Sequence, residues 1–196
     1  MDQLKQAQRT AGITARRALD TQTRAAADAA ICAEILSSEE YRQADSILLY
    51  AACGGEVDLS AVAKQAKQDG KRVAWPVCLP EHQMLAAEPE DDEAWECGKY
   101  GIRAPLVSRS SVIPPEELAL ILVPCTAFDA QCGRVGMGGG YYDRYLPRCG
   151  RALCWGVAYE CQRVEYAAIE AHDRRMDAYI SEQRSYQNGK NDTVEL

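Results

Sequence analysis

The chain has 196 residues, enough for one ordinary domain with a core of its own and cramped for two. Its formal net charge of −7 disfavours a general nucleic-acid binder, and no apolar run approaches the ~20 residues of a membrane helix, so no membrane partner is expected. Nine cysteines stand beside two histidines with no C-x-x-C pair, so a zinc site has no recognisable ligand spacing.

The polar, charged opening residues read as no signal peptide, so reduced thiols in a cytoplasmic setting are expected, most of them as small core hydrophobes. Residues 2–36 read as helix, rich in Ala, Gln, Arg and Leu. Asp20 or Thr21 can cap a second helix start there, and Gly12 is the weak point. The apolar run 46–52 (SILLYAA) reads as a buried strand, broken by Gly54 and Gly55. Residues 59–69 predict a helix stopped by Gly70. Residues 72–78 (RVAWPVC) predict a second strand, with Pro76 near its end or at an edge. The stretch 80–116 is less regular and holds five of the eight prolines, with a short third strand expected at 84–87. Residues 118–123 (LALILV) form the strongest strand pattern, and a long glycine-rich loop follows. A helix from Tyr141, a strand over 152–158 and a last short strand over 178–180 complete the pattern. This alternation predicts a single α/β domain over 1–181, its mostly parallel sheet flanked by helices on both faces. Residues 182–196 are polar and expected to fray.

The chemistry concentrates in 123–146, VPCTAFDAQCGRVGMGGGYYDRYL. Gly133, Gly136, Gly138, Gly139 and Gly140 fall within eight residues, at the carboxyl end of the strongest strand, where α/β sheets bind ligands. Glycine permits positive φ and close approach of a ligand, and its N–H groups can form an anion-binding nest. Arg134 and Arg144 add full charges. Neither a Walker A loop nor a dinucleotide fingerprint is present. Glycine count alone leaves phosphate binding and a plain flexible loop both open, but a plain linker would not need Tyr141, Tyr142, Asp143 and Arg144 directly after it.

The run AFDAQCGRVGMGGGYYDRYL resembles the motif of 5-formyltetrahydrofolate cyclo-ligases: A/G-F-D, then R-L-G-x-G-x-G-Y-Y-D, with Val135 here in place of Leu. The resemblance continues along nearly the whole chain. Lys5 and Arg9 match an N-terminal K-x-x-x-R, with Gln8 where Leu is usual. Glu56 in GGEVDL matches E-[IV]-[DE]-[TL]. Tyr100 in YGIRAP matches an aromatic position before I-x-x-P. His172 and Asp173 in AHDRRMDAYI match H-D-x-x-[ML]-D.

The resemblance implies ATP- and Mg2+-dependent conversion of 5-formyltetrahydrofolate to 5,10-methenyltetrahydrofolate, with release of ADP and phosphate. Positioning and charge stabilisation would carry such a reaction. It implies that Arg134, Val135, Gly136, Met137, Gly138, Gly139, Gly140, Tyr141 and Tyr142 wrap ATP, with Arg134 and Tyr142 catalytic. Lys5 and Arg9 would reach ATP from the N-terminal helix. Glu56, Tyr100, Met137, Gly138, Gly139, Gly140 and Tyr141 would hold the folate, and Asp143 and Asp173 would hold Mg2+. On residues alone, blander roles stay open. Lys5 and Arg9 fit a solvated helix face, Glu56 an ordinary loop carboxylate, and Asp143 a first-turn helix acid. Asp173 fits a surface pair with Arg174 or Arg175, and Tyr100 and Met137 fit packing. His172 reads as structural. Phe128 and Asp129 read as shaping the loop, Asp129 through an Asx-turn. A sugar-phosphate isomerase or a non-catalytic nucleotide or folate binder are the competing readings.

Overall fold

The computed structural model describes residues 2–170, 173–189 and the backbone of 194–195. Asp20 divides the N-terminal helical stretch, as its side chain predicts. Its Oδ1 accepts the Thr23 N–H at 2.9 Å and its Oδ2 the Thr23 hydroxyl at 2.7 Å. Helix α1 (Asp2–Ala18) therefore ends and α2 (Thr21–Ser37) begins. Ser38 caps the short α3 (Glu39–Gln43) in the same way. Strand β1 (Ser46–Leu48), helix α4 (Ser60–Gln68) and strand β2 (Arg72–Cys78) form a parallel β-α-β unit, with Gly70 at φ 72° after α4.

The middle third is strand-rich: β3 (Met84–Pro89), β4 (Trp95–Cys97), β5 (Arg103–Pro105) and β6 (Ser110–Ile113). Strand β7 (Leu120–Pro124) leads to a small hairpin, β8 (Ala127–Phe128) with β9 (Arg134–Val135), and then to α5 (Tyr141–Tyr145). Strands β10 (Leu153–Val157), β11 (Ala178–Ile180), β12 (Arg184–Gln187) and β13 (Val194–Glu195) finish the chain.

Among the described residues nine strands join one sheet in the order β13-β12-β11-β10-β7-β1-β2-β3-β6. The five from β11 to β2 are parallel, and the outer strands on either side are antiparallel additions. Where the sequence predicts a fraying tail, Arg184–Gln187 instead pairs with β11. Buried Tyr186 anchors it, its ring 5.6 Å from Phe128 and its hydroxyl donating to Glu160.

Alternation along the central strands sends side chains to two cores. Ile47, Val73, Leu120, Leu122 and Val157 meet Ile31 and Ile35 of α2 and Val62 of α4. Leu48, Ala74, Ile121, Val123 and Cys154 meet Tyr145 and Leu146 on the other face. All nine cysteines are free and five are buried, in line with a role as small core residues. Burial pushes the Cys125 and Cys154 thiols up to about 12, which keeps them protonated and unreactive. Among the described residues no helix is long and apolar enough to cross a membrane.

The chain leaves β1 toward β2 on one side and leaves β7 toward β10 on the other. The carboxyl ends of β1 and β7 therefore border the crevice where the strand order reverses, the ordinary ligand site of such a sheet.

Candidate active site

Helix α1 lies across that crevice. Lys5, Arg9, Gly12 and Arg16 follow one another at spacings of four, three and four, so they share one helical face. Gly12 lets the helix sit down: a Cβ there would lie 1.8 Å from the Thr126 carbonyl oxygen. The helix continues through Gly12 because docking, not propensity, selects the residue. Arg16 is 1% exposed. Its guanidinium donates to Gly54 O at 3.1 Å beyond β1 and to Cys125 O at 3.3 Å beyond β7. Arg9 donates to Gly136 O at 2.8 Å and lies against Gly138. Lys5 donates to Asp173 Oδ2 at 2.7 Å and lies 3.9 Å from Glu170. Gln8 grips the same neighbourhood, donating to Tyr166 O at 2.7 Å and accepting from Ala168 N at 2.8 Å.

The glycine-rich segment is braced at its root. Asp129 Oδ1 accepts the backbone N–H groups of Gln131 and Gly133, the expected Asx-turn, and its Oδ2 accepts that of Ala167. Val135 is buried in β9, and its carbonyl accepts both the N–H and the hydroxyl of Thr126 at 2.8 Å. Gly138, at φ 91°, takes a left-handed conformation directly beside the Arg9 guanidinium, where only glycine is unstrained. From the β2–β3 turn, His82 Nδ1 lies 2.7 Å from Gly139 O. Arg134 is buried, bonded to Asp143 Oδ1 and stacked 5.6 Å from the Tyr142 ring.

A cavity of about 710 Å³ opens between these elements. Glu56, Tyr100, Arg134 and the run from Gly136 to Asp143 all line it. Met137 and Tyr100 are exposed, 60% and 68%, at its rim. Glu56 is buried. Its Oε2 accepts the Cys53 N–H at 3.1 Å and its Oε1 lies 3.6 Å from Arg16. Burial raises the pKa of Glu56, while the Cys53 N–H and the Arg16 charge pull it back down. The Tyr142 hydroxyl is buried with no hydrogen-bond partner among the described residues, and burial pushes its pKa up, so it stays a proton-bearing donor. Lys99 donates to the Tyr141 hydroxyl at 2.6 Å and lies 5.4 Å from the Tyr100 ring.

Four of the site residues that the resemblance implies stand apart from this lining: Lys5, Arg9, Val135 and Asp173. Arg9 borders the lining through Gly136 and Gly138, Lys5 pairs with Asp173, and Val135 holds the hairpin. Asp173 sits with Lys5, while Arg174 bonds Leu146 O and Arg175 bonds Gln131 O. His172 lies outside the described residues. Among the described residues no group of three or more His, Cys, Asp or Glu could by itself enclose a metal. Mg2+ commonly takes only one or two carboxylates and completes its shell with phosphate and water. Asp143, on the cavity wall and 45% exposed at its side chain, fits that use. The sequence did not point to Arg16, Lys99 or His82. Arg16 carried a usable signal, since it lies two helical turns from Arg9. Lys99 and His82 arrive from irregular turns with no periodicity to follow.

The 5-formyltetrahydrofolate cyclo-ligase family matches residues 1–182. A 5-formyltetrahydrofolate cyclo-ligase of Haemophilus influenzae is 33% identical over 151 residues, 75% of this chain and 81% of that one. One of Escherichia coli K12 is 29% identical over 142 residues, 70% of this chain and 78% of that one. The NMR structure of 5,10-methenyltetrahydrofolate synthetase from Aquifex aeolicus matches with a TM-score of 0.85 at 26% identity, covering 98% of this chain and 97% of that one.

Proposed function

The chain belongs to the 5-formyltetrahydrofolate cyclo-ligase family and is an enzyme of that class, and we propose that it converts 5-formyltetrahydrofolate and ATP, with Mg2+, to 5,10-methenyltetrahydrofolate, ADP and phosphate. One observation carries the reading: Glu56, the glycine-rich backbone and Asp143 converge on a single cavity. A pterin can donate N–H groups to a buried carboxylate, and a polyphosphate can lie along glycine N–H groups.

In the proposed reaction the formyl oxygen attacks the γ-phosphorus of ATP, and the bond to ADP breaks. N10 then attacks the activated carbon and loses its proton, and the carbon–oxygen bond breaks to release phosphate. Holding the formyl oxygen in line with the γ-phosphorus is the main task. Glu56 and the rim aromatic Tyr100 hold the folate, with Met137 and Tyr141 as further walls. Gly136, Gly138, Gly139 and Gly140 offer backbone N–H groups to the phosphates, with Val135 fixing the loop's root. Lys5 and Arg9 add positive charge from α1. Arg134 brings a buried cation, and the Tyr142 hydroxyl, with no partner among the described residues, is a donor ready for the transferring group. Asp143 would hold Mg2+, with Asp173 as the second carboxylate, and the ion would neutralise phosphate charge. The free thiols suit a reducing compartment such as the cytoplasm.

The test is absorbance in the methenyl-folate band with purified protein, 5-formyltetrahydrofolate and Mg2+, with and without ATP. An ATP-dependent rise is expected. A flat trace from folded protein would reject the reading in favour of a ligand binder.

A further inference from the structure

Arg16 is the largest of the fully buried side chains, and the reaction above gives it no task. Its environment is specific. It touches the loop after β1 through Gly54 O and the loop after β7 through Cys125 O. It also faces Glu56 Oε1 at 3.6 Å. It thus spans the crevice between the two central strands and meets the one carboxylate on the cavity floor that the folate reading uses. Arg24, from α2, holds the same assembly from below, donating to Gly55 O at 2.9 Å and to Arg16 O at 2.8 Å.

We propose that Arg16 is a positioning residue that keeps Glu56 ionised and aims its carboxylate at the pterin. The inference rests on the folate reading of Glu56, and deepens it. The Cys53 N–H holds Oε2 and Arg16 stands at Oε1. With both oxygens approached from within the protein and Glu56 lining the cavity, the carboxylate is oriented while keeping lone pairs free for a ligand there. A buried carboxylate without such a partner takes up a proton instead of holding its charge. The other titratable groups coupled to Glu56 are Tyr50 after β1, Cys53, Cys125 after β7 and Tyr142 on α5. Burial raises the pKa of all four, Cys53 to about 11 and Cys125 to about 12, so none supplies or takes a charge near neutrality. Arg17, next along α1, approaches Gly54. Among the described residues the cation in contact with the carboxylate is Arg16.

Two measurements test this. The first is the pH profile of kcat/KM for 5-formyltetrahydrofolate in Arg16→Met, Arg16→Lys and wild type. Folate capture needs ionised Glu56, so activity falls as pH drops through its pKa. Removing the guanidinium raises that pKa. The acid limb of Arg16→Met therefore moves to higher pH by about one unit or more. The KM for folate rises about tenfold, and that for ATP changes far less. Arg16→Lys keeps the charge, so its acid limb stays near wild type while the folate KM still rises. An unmoved limb in Arg16→Met, or equal rises in both KM values, would overturn the proposal.

The second is a thermal-melting cycle of Arg16→Met, Glu56→Gln and the double variant, which needs no activity. Each single change strands a buried partner, and the double change relieves both. The double variant should lose less melting temperature than the two singles combined. Additive losses would show two independent residues and overturn the proposal. If Arg16→Met fails to fold, the Arg16→Lys profile and KM split decide. If the wild type makes no methenyl-folate, the function reading falls, while the melting cycle still judges the pair.

Discussion

Helices α1 and α2 are both 17 residues long, adjacent in sequence and separated by the same cap. They bury opposite kinds of surface. α2 presents Ala27, Ile31, Cys32 and Ile35 to the sheet, an apolar stripe at helical spacing. α1 presents Lys5, Arg9, Gly12 and Arg16 to the carboxyl ends of the strands, a stripe of cations interrupted by a glycine. Strand carboxyl ends offer carbonyl oxygens, and these are what Arg9 and Arg16 bind. The face of a helix that looks solvated in sequence can therefore be its docked face, when what it docks on is polar backbone rather than side chains.

The contrast can be broken from either side. Ile31 is fully buried, so Ile31→Ala should cost about 2–5 kcal/mol in denaturant unfolding. The KM values of the surviving folded enzyme should stay near wild type, because α2 lines no part of the cavity. Gly12→Ala should cost about 1–3 kcal/mol by overpacking against Thr126 O. The sign is the informative part: the same change in a solvated helix stabilises by about 1 kcal/mol. Unlike Ile31→Ala, it should also raise the KM for ATP, since Lys5 and Arg9 would lift away with α1. A stabilised Gly12→Ala with unchanged KM would mean that α1 does not dock as described. Lys5→Ala sharpens the contrast at the far end of α1. ATP KM should rise about tenfold, and because the Lys5 and Asp173 side chains are only 14% and 13% exposed, unfolding should also cost about 1–3 kcal/mol, measured by steady-state kinetics and chemical unfolding.

That contrast also explains what the sequence disclosed. α2 and β7 were legible because apolar side chains at a fixed period have one physical reading. The glycine-rich loop was legible because five glycines, two tyrosines and an aspartate form a long, specific string. The first strand was overextended: it ends at Leu48, although the apolar run continues to 52. Tyr50 and Ala51 line the cavity rather than the sheet, and hydropathy does not separate the two. The pairs β4–β5 and β8–β9 are two or three residues per strand, too short for any period. β12 stayed hidden because its one buried anchor, Tyr186, sits in a polar stretch. Arg16 stayed hidden because a buried guanidinium and a solvated one have the same letter. Its worth comes from carbonyls at Gly54 and Cys125, 38 and 109 residues away along the chain.

Gln8 offers the smallest and most discriminating change, because it departs from the family's usual Leu on the very helix in question. Its amide makes two backbone bonds, one to Tyr166 O and one to Ala168 N. Those bonds tie α1 to the segment that leads to Glu170 and Asp173, the partners of Lys5. Gln8→Leu restores the family's residue and removes both bonds. If α1 holds only through Arg9, Gly12 and Arg16, the change should be neutral. If polar backbone contacts carry the docking along the whole helix, it should cost about 1 kcal/mol in unfolding. The ATP KM should then rise by less than Lys5→Ala produces, with the folate KM unmoved. That second outcome is the one expected here. The amide makes directed bonds to backbone, as Arg9 and Arg16 do from the same helix.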